Sequence, residues 1–144
     1  MKTLVLMRHG EAGDAPRDHA RPLSARGRQQ CCGTAAELER RGLAIDRVLS
    51  SSAVRAVESA QLVVETLGLP DAIDVREELY LAEPATYAKA VRGCRADIAT
   101  LLLVAHNPGL SDLASRIQGR HVGLSTAAVA VCELPIADWR ELLA

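Results

Sequence analysis

Apolar residues along the chain fall into short continuous runs and into stripes with helical spacing. Residues 4–7 form one such run, which predicts a strand buried on both faces, and residues 45–49, 73–75, 100–105 and 127–134 predict four further strands. Between them, apolar positions recur three and four residues apart, as in a helix that packs one face against a core. Strands that alternate with helices predict an α/β fold, a three-layer sandwich with a mostly parallel central sheet, flanking helices and right-handed crossovers.

Capping residues place the ends of several predicted helices. Ser24 can cap a first helix that runs to about Arg41. Pro84 suits the first position of a later helix, whose apolar side extends to Ile98. Asn107 can cap the helix that follows the fourth strand.

Length, composition and charge narrow the class of protein. With 144 residues, 49% of them hydrophobic, the chain fits a single domain spanning residues 1–144. The 17 basic and 18 acidic residues nearly balance, which argues against binding to nucleic acid or to a membrane surface through bulk charge. The four cysteines lack paired spacing, and the start of the chain does not have the pattern of a secretion signal. We therefore expect a cytoplasmic protein that binds neither nucleic acid nor membranes.

Basic residues stand where the first and fourth strands end. Arg8 and His9 follow the first strand, Gly10 then allows a sharp turn, and His106 follows the fourth strand. Ligands of open α/β sheets bind at the carboxyl ends of the strands, so these side chains are expected to meet around one small anion. A guanidinium group suits phosphate, and a neutral imidazole can attack phosphorus. Arg55, a cation in the first turn of the second helix, fits the same anion, although an ordinary surface arginine stays the alternative.

A metal site is the other interpretation of the histidines. His9, His19, His106 and His121 do not have the spacing of metal-binding motifs. We therefore predict that the protein uses neither a metal ion nor an organic cofactor.

The basic residues belong to a longer ordered set of motifs. The sequence reads RHGEA from residue 8, RPLS from residue 21, VLSS from residue 48, RA from residue 55 and VAHNP from residue 104. In order, spacing and strand context this set resembles the histidine phosphatase superfamily, which has the phosphoglycerate mutase-like fold. Within that superfamily the chain resembles the small SixA-like phosphohistidine phosphatases.

The resemblance implies a role for each motif residue. His9 would be the nucleophile that becomes phosphorylated, and Arg8, Arg55 and His106 would surround the phosphoryl group, whose negative charge they would stabilise. Arg21 would be a further phosphate contact. Beside these residues we place Gly10 and Asn107 as substrate-binding residues.

The chain departs from the family pattern near Arg55. Ser52 stands where relatives commonly have proline, and Glu58-Ser59 stands where they commonly have Gln-Thr. A carboxylate at position 58 lies one helical turn from Arg55, so we expect it to weaken or tune the contact of Arg55 with the anion.

The general acid is the least defined part of the predicted site. Larger members of the superfamily place a carboxylate after the third strand to protonate the leaving oxygen. Glu83 is the candidate here, with Glu78 behind it. The alternative is that Glu83 only begins a helix, where the helix dipole favours an acidic residue.

The predicted function is that of a metal-independent phosphatase that works through a phosphohistidine intermediate. Protein phosphohistidine, carried for example by a histidine-phosphotransfer domain, is the preferred substrate, because an imidazole leaves more readily than an alkoxide. The alternatives are hydrolysis of small phosphate esters or of phosphoserine and phosphothreonine proteins. A non-catalytic phosphate-binding module is a further alternative, which the presence of both His9 and His106 disfavours.

Overall fold

The five apolar runs form one mixed sheet with helices on both faces. The structure, a computed structural model, describes residues 1–143. Its strands are β1 (Lys2–Arg8), β2 (Arg47–Ser51), β3 (Ile73–Arg76), β4 (Thr100–Ala105) and β5 (Val129–Leu134). They lie in the order β3-β2-β4-β1-β5, in which only β5 runs antiparallel to its neighbour. The predicted α/β sandwich with a mostly parallel sheet is confirmed.

Four helices cover the two faces of this sheet. They are α1 (Ala25–Arg40), α2 (Val54–Leu67), α3 (Pro84–Arg92) and α4 (Gly109–Gln118). Leu4 and Leu6 of β1 pack in one apolar cluster with α3 and α4, whereas Val5 and Met7 pack in the other with α1 and α2. All four side chains are fully buried, as expected for a central strand with both faces covered. In the described part of the chain, no helix is long and apolar enough to cross a membrane.

Several element boundaries differ from the sequence prediction. Helix α3 ends at Arg92 instead of continuing to Ile98, because Gly93 and the turn after it break the helix, yet Ile98 still packs against the core. Strand β5 begins two residues later than predicted, since Ala127 adopts a φ of 60°, which does not fit a strand. Pro108 occupies the N-cap position of α4, but the predicted capping bond comes from Asn107, whose Oδ1 accepts from the backbone N–H of Ser111 at 3.1 Å.

The register of the sheet brings three strand ends together. Arg8 of β1 pairs with Ala105 of β4, and Ser50 of β2 pairs with Val104 of β4. The residues that follow these strands therefore emerge side by side at the carboxyl edge of the sheet, where ligands of such folds bind.

Candidate active site

His9 emerges from β1 at a point where the backbone touches helix α1. A Cβ atom on Gly10 would lie 2.7 Å from the carbonyl oxygen of Gly27, and one on Gly27 would lie 2.0 Å from that of Glu11. Only glycine fits at these two positions without displacing backbone. The Gly10 amide also donates to the hydroxyl of Ser59 at 3.0 Å, so the turn that carries His9 is fixed from α1 and α2.

The hydrogen bond of His9 to the next residue selects one tautomer. Nδ1 lies 2.7 Å from the carbonyl oxygen of Gly10, which can only accept, so Nδ1 carries the proton and Nε2 carries the lone pair. Burial, together with the nearby charge of Arg55, lowers the pKa of His9 from 6.5 to about 4. The imidazole is therefore neutral at pH 7 and presents Nε2, which lies 3.4 Å from Nε of Arg55.

His106 stands beside His9 at the end of β4. The two ring centroids are 5.1 Å apart, and Nε2 of His106 lies 2.7 Å from the hydroxyl of Ser51 at the end of β2. Burial and the neighbouring His9 lower the pKa of His106 from 6.5 to about 3, so this ring is neutral at pH 7 as well. The backbone N–H of His106 donates to the hydroxyl of Tyr87 at 3.3 Å.

The two histidines line a cavity of about 340 Å³, whose charged side chains are mainly arginines. It is lined by Arg8, His9, Glu11, Ala12, Arg21, Arg55, Leu81, His106, Asn107 and Thr126. Within residues 1–143, the buried side-chain nitrogens without a hydrogen-bond partner are Nε of Arg8 and Nδ1 of His106. Both residues line this cavity, and an N–H on either nitrogen could donate to an oxyanion bound there.

Most of the predicted site residues meet in this cavity. Those that line it are Arg8, His9, Arg21, Arg55, His106 and Asn107. The amide of Asn107 is bonded within the protein, since Nδ2 donates to the carbonyl of Leu124 at 2.7 Å and Oδ1 accepts from the hydroxyl of Ser111. Gly10 is not part of the lining, and both of its backbone polar groups are used by Ser59 and His9. Gly10 thus positions His9, which corrects its predicted place in substrate binding.

The structure does not bring Glu83 to the cavity. Glu83 is exposed at the start of α3, where its backbone carbonyl accepts from Thr86 and its side chain makes no capping bond. Instead the preceding segment presents Leu81, which has a φ of 48° and is 55% exposed. Glu78 is exposed in the 3-10 turn Glu77–Leu79 and also lies outside the cavity lining.

The departures from the family pattern have contacts of their own. The carboxylate of Glu58 accepts from the backbone N–H of Leu23 at 2.8 Å and lies 3.6 Å from Arg28. The expectation that Glu58 tunes Arg55 is therefore wrong, because its carboxylate is bonded to α1 and the loop before it. Ser52 is hydrogen-bonded to Nε2 of His19 at 2.8 Å.

Sequence reasoning missed two residues that contact the predicted ones. Asp18 binds both Arg55 and Arg21, and its proximity to Arg21 in the chain was the one available signal. Tyr80 packs its ring edge-on to His106 with centroids 5.5 Å apart. No local pattern marked Tyr80, because its contacts join segments far apart in the sequence.

A buried neutral imidazole beside three arginines, at the carboxyl edge of an α/β sheet, defines a class of protein built to bind a phosphoryl group. The model of the histidine phosphatase superfamily (branch 1) matches residues 4–83. The chain belongs to the histidine phosphatase superfamily, and it is a phosphatase with the phosphoglycerate mutase-like fold.

Individual relatives agree with this assignment. The phosphohistidine phosphatase SixA of Escherichia coli is 30% identical over 119 residues, covering 79% of this chain and 73% of that protein. An uncharacterized protein of Mycobacterium tuberculosis is 37% identical over 111 residues, or 75% of this chain and 67% of that protein. The solved structure of the protein histidine phosphatase SixA complexed with tungstate superposes with a TM-score of 0.84 at 27% identity, covering 92% of this chain and 88% of the other.

Proposed function

We propose that this phosphatase hydrolyses protein phosphohistidine through a covalent phosphoryl intermediate on His9. The observation that carries the proposal is the fixed tautomer of His9: Gly10 holds the proton on Nδ1, so Nε2 carries the lone pair that attacks phosphorus. In the structure this nitrogen accepts a long hydrogen bond of 3.4 Å from Nε–H of Arg55. The lowered pKa keeps this nitrogen unprotonated at neutral pH.

The reaction then takes two displacements. In the first, the lone pair of His9 Nε2 forms a bond to phosphorus while the bond to the leaving group breaks, and the leaving group departs with that electron pair and takes up a proton. In the second, the oxygen of a water molecule attacks phosphorus, the N–P bond breaks and its electron pair returns to Nε2, while both protons of the water stay on the phosphate oxygens. The products are orthophosphate and the dephosphorylated substrate.

The cavity supplies the electrostatic part of the catalysis. Negative charge spreads over the three equatorial oxygens of the transferred phosphoryl group. Arg8, Arg21 and Arg55 provide cationic donors around this position, and Nδ1 of His106 is a further polar atom without a protein partner. Donors that are already in place stabilise the transition state without a cost of reorganisation.

The carboxylates in and near the cavity are poor proton donors, which favours phosphohistidine as the substrate. Among the lining residues of the described chain, Glu11 is the one carboxylate, and its oxygens accept from Ser24 at 2.9 Å and from Arg26 at 3.3 Å. Asp18 stands close by, but hydrogen bonds from Tyr80 and Arg21 hold the pKa of its carboxyl well below the usual range, so it cannot deliver a proton. An imidazole leaving group can be protonated before cleavage, whereas an alkoxide depends on an acid of the enzyme.

The similarity to SixA supports the same substrate class, and a histidine-phosphotransfer domain is the partner we propose. Three substrates test this choice: a phosphohistidine protein, a phosphoserine peptide and a sugar phosphate. We expect kcat/KM to be highest on the phosphohistidine protein. We also expect rapid quenching in alkaline denaturant, followed by digestion under basic conditions, to find an acid-labile, base-stable phosphoryl group on His9. A higher kcat/KM on the sugar phosphate would favour small phosphate esters instead. Label on another residue would contradict the role of His9.

A further inference from the structure

Two arginines of the phosphate cavity converge on a residue that no motif of the sequence includes. Nη1 of Arg55 donates to the backbone carbonyl of Asp18 at 2.8 Å, and Nη2 donates to its carboxylate at 3.1 Å. Nη1 of Arg21 donates to the other carboxylate oxygen at 3.1 Å. The hydroxyl of Tyr80 donates to the oxygen that also receives Arg55. One carboxylate therefore connects three side chains from three separate segments.

Arg55 contacts different residues through its Nε and through its two terminal nitrogens. Nε faces Nε2 of His9 at 3.4 Å, whereas the contacts with Asp18 involve the two terminal nitrogens. A guanidinium group is planar and its donors form a rigid fork, so fixing the terminal nitrogens also fixes the direction of Nε–H. The carboxylate thus holds Arg55 with its Nε–H directed at Nε2 of His9, the atom that attacks phosphorus.

Arg55 and Asp18 differ in their exposure to solvent, as expected if Asp18 orients a buried arginine from the surface. The side chain of Arg55 is 5% exposed, whereas that of Asp18 is 44% exposed. The carboxylate end of this ion pair is open to solvent, which screens the attraction and limits what the pair adds to folding stability. Its geometric effect on the buried partner is larger, since a guanidinium group displaced by about 1 Å in an active site can reduce the rate by about 100-fold.

We propose that Asp18 is a positioning residue for phosphoryl transfer, which holds Arg55 and Arg21 in the orientation that binds the phosphoryl group. This role rests on the proposed function of the same cavity. Asp18 acts through the two arginines and does not itself touch the phosphoryl group. Tyr80 supports Asp18, because its hydroxyl donates to the carboxylate and its ring lies 5.9 Å from the Cζ of Arg55.

Asp18→Ala tests this role against Asp14→Ala, a matched change of an exposed aspartate in the same loop. We expect Asp18→Ala to lower kcat by about 30-fold and to raise the Kd of orthovanadate by about 10-fold, while KM changes less than kcat. Asp18→Asn keeps the shape and one accepting oxygen and should lie between wild type and Asp18→Ala. Asp14→Ala should stay within twofold of wild type. An effect of Asp18→Ala within twofold on both quantities would overturn the proposal.

A double-mutant cycle separates positioning from a merely structural role. If Asp18 acts through Arg55, then adding Asp18→Ala to Arg55→Ala should lower kcat by about threefold or less, the remainder acting through Arg21. Full additivity of the two changes would contradict the proposal. Tighter vanadate binding by Asp18→Ala would also contradict it, since that result would show that the carboxylate competes with the anion.

The two proposals can fail separately. Calorimetric binding of orthovanadate requires no turnover, so it tests the effect of Asp18 on the cavity even if wild type does not form phosphohistidine at His9. Turnover with label on His9, combined with unchanged vanadate binding and kcat in Asp18→Ala, would retain the proposed function and reject the role of Asp18.

Discussion

The two ends of β1 both bury a charged or polar side chain, but they use it differently. At the amino end Lys2 is 7% exposed, and its ammonium group donates to the carbonyls of Ala96 and Ile98. The indole of Trp139 donates to the same Ile98 carbonyl at 2.8 Å. Nearby, the carboxylate of Asp46 accepts the backbone N–H groups of Ala99 and Thr100 at 3.1 and 2.9 Å. These polar side chains fix the backbone of the segment just before β4 by hydrogen bonds.

At the carboxyl end the polar side chains keep part of their hydrogen-bonding capacity. His9 and His106 are buried and neutral, and Arg8 and His106 each have a buried nitrogen without a protein partner. A buried unpaired polar atom costs on the order of 1–3 kcal/mol, so a fold retains it where a ligand satisfies it. Buried polarity therefore does not mark a functional site by itself. In the described part of the chain, the buried side-chain nitrogens without a protein partner belong to residues that line the phosphate cavity.

The largest expected effect is the loss of turnover in His9→Ala. Because His9 is asked to form the bond to phosphorus, its removal should lower kcat by about 10⁴-fold or more, while folding is retained. Steady-state kinetics and thermal unfolding measure the two quantities. His121→Ala is the control, as His121 is exposed and outside the cavity. Wild-type turnover in His9→Ala would show that His9 is not the nucleophile. The carboxyl end of β1 would then no longer differ from the amino end in having a catalytic role.

Removing one polar side chain from the wall of the cavity should have the next largest effect. Arg55→Ala and His106→Ala should each raise the barrier by about 3–4 kcal/mol, as for the loss of one preorganised donor, and each should weaken orthovanadate binding. Arg21→Ala should do less, because Arg21 lies in a loop and is also bonded to the carbonyl of Gly13. Inhibition constants for vanadate in the three variants provide the comparison. Unchanged constants in both Arg55→Ala and His106→Ala would place the anion site elsewhere.

The neutral histidines should also make the folded state sensitive to acid. Their pKa values are about 4 for His9 and about 3 for His106, against 6.5 for an unperturbed histidine. Below pH 6.5 the unfolded chain takes up protons that the folded chain does not, so the free energy of unfolding should fall as pH decreases from 6.5 to about 4. Each histidine should contribute on the order of 3 kcal/mol to this fall. Chemical denaturation across this range should give a shallower fall in His106→Ala, and an unchanged slope would show that His106 is not held neutral.

At the amino end the expected effect is on stability alone. Lys2→Met keeps a flexible unbranched side chain but removes the donor to two carbonyls, which should cost about 1–3 kcal/mol of unfolding free energy. Lys2 and Arg8 are separated by about 20 Å along an extended strand, so kcat/KM should stay within about twofold. Lys89→Met, a change of an exposed lysine in α3, is the control. A tenfold loss of kcat/KM in Lys2→Met would mean that the two ends of β1 are coupled.

The sequence predicted the elements of the site whose signals are local. Arg8, His9 and His106 could be found because each follows an apolar strand, and a parallel topology then brings these strand ends together. The contact of Asp18 with Arg55 spans 37 residues and leaves no local pattern. That residues 1–144 form one domain and that the protein is cytoplasmic stay predictions.

The course of the segment after β3 could not be predicted for a similar reason. It depends on the hydroxyl of Tyr87, which donates to the carbonyl of Leu79 at 3.1 Å and accepts the N–H groups of Ala82 and His106. These three bonds join α3, the segment before it and the end of β4. Their result is that Leu81 reaches the cavity whereas Glu83 does not.

Glu83→Gln should therefore have the smallest effect, and it tests whether the phosphate cavity works without an acid from this segment. Since Glu83 is exposed and outside the lining, we expect kcat/KM to stay within about twofold on both phosphohistidine protein and an alkyl phosphate. Glu39→Gln, a change of an exposed glutamate in α1 outside the cavity, is the matched control. A loss of about 100-fold on the alkyl phosphate alone would show that the segment moves to deliver a proton, because an alkoxide needs one from the enzyme. An equal loss on both substrates would contradict the argument from the leaving group, since a protonated imidazole departs without that acid.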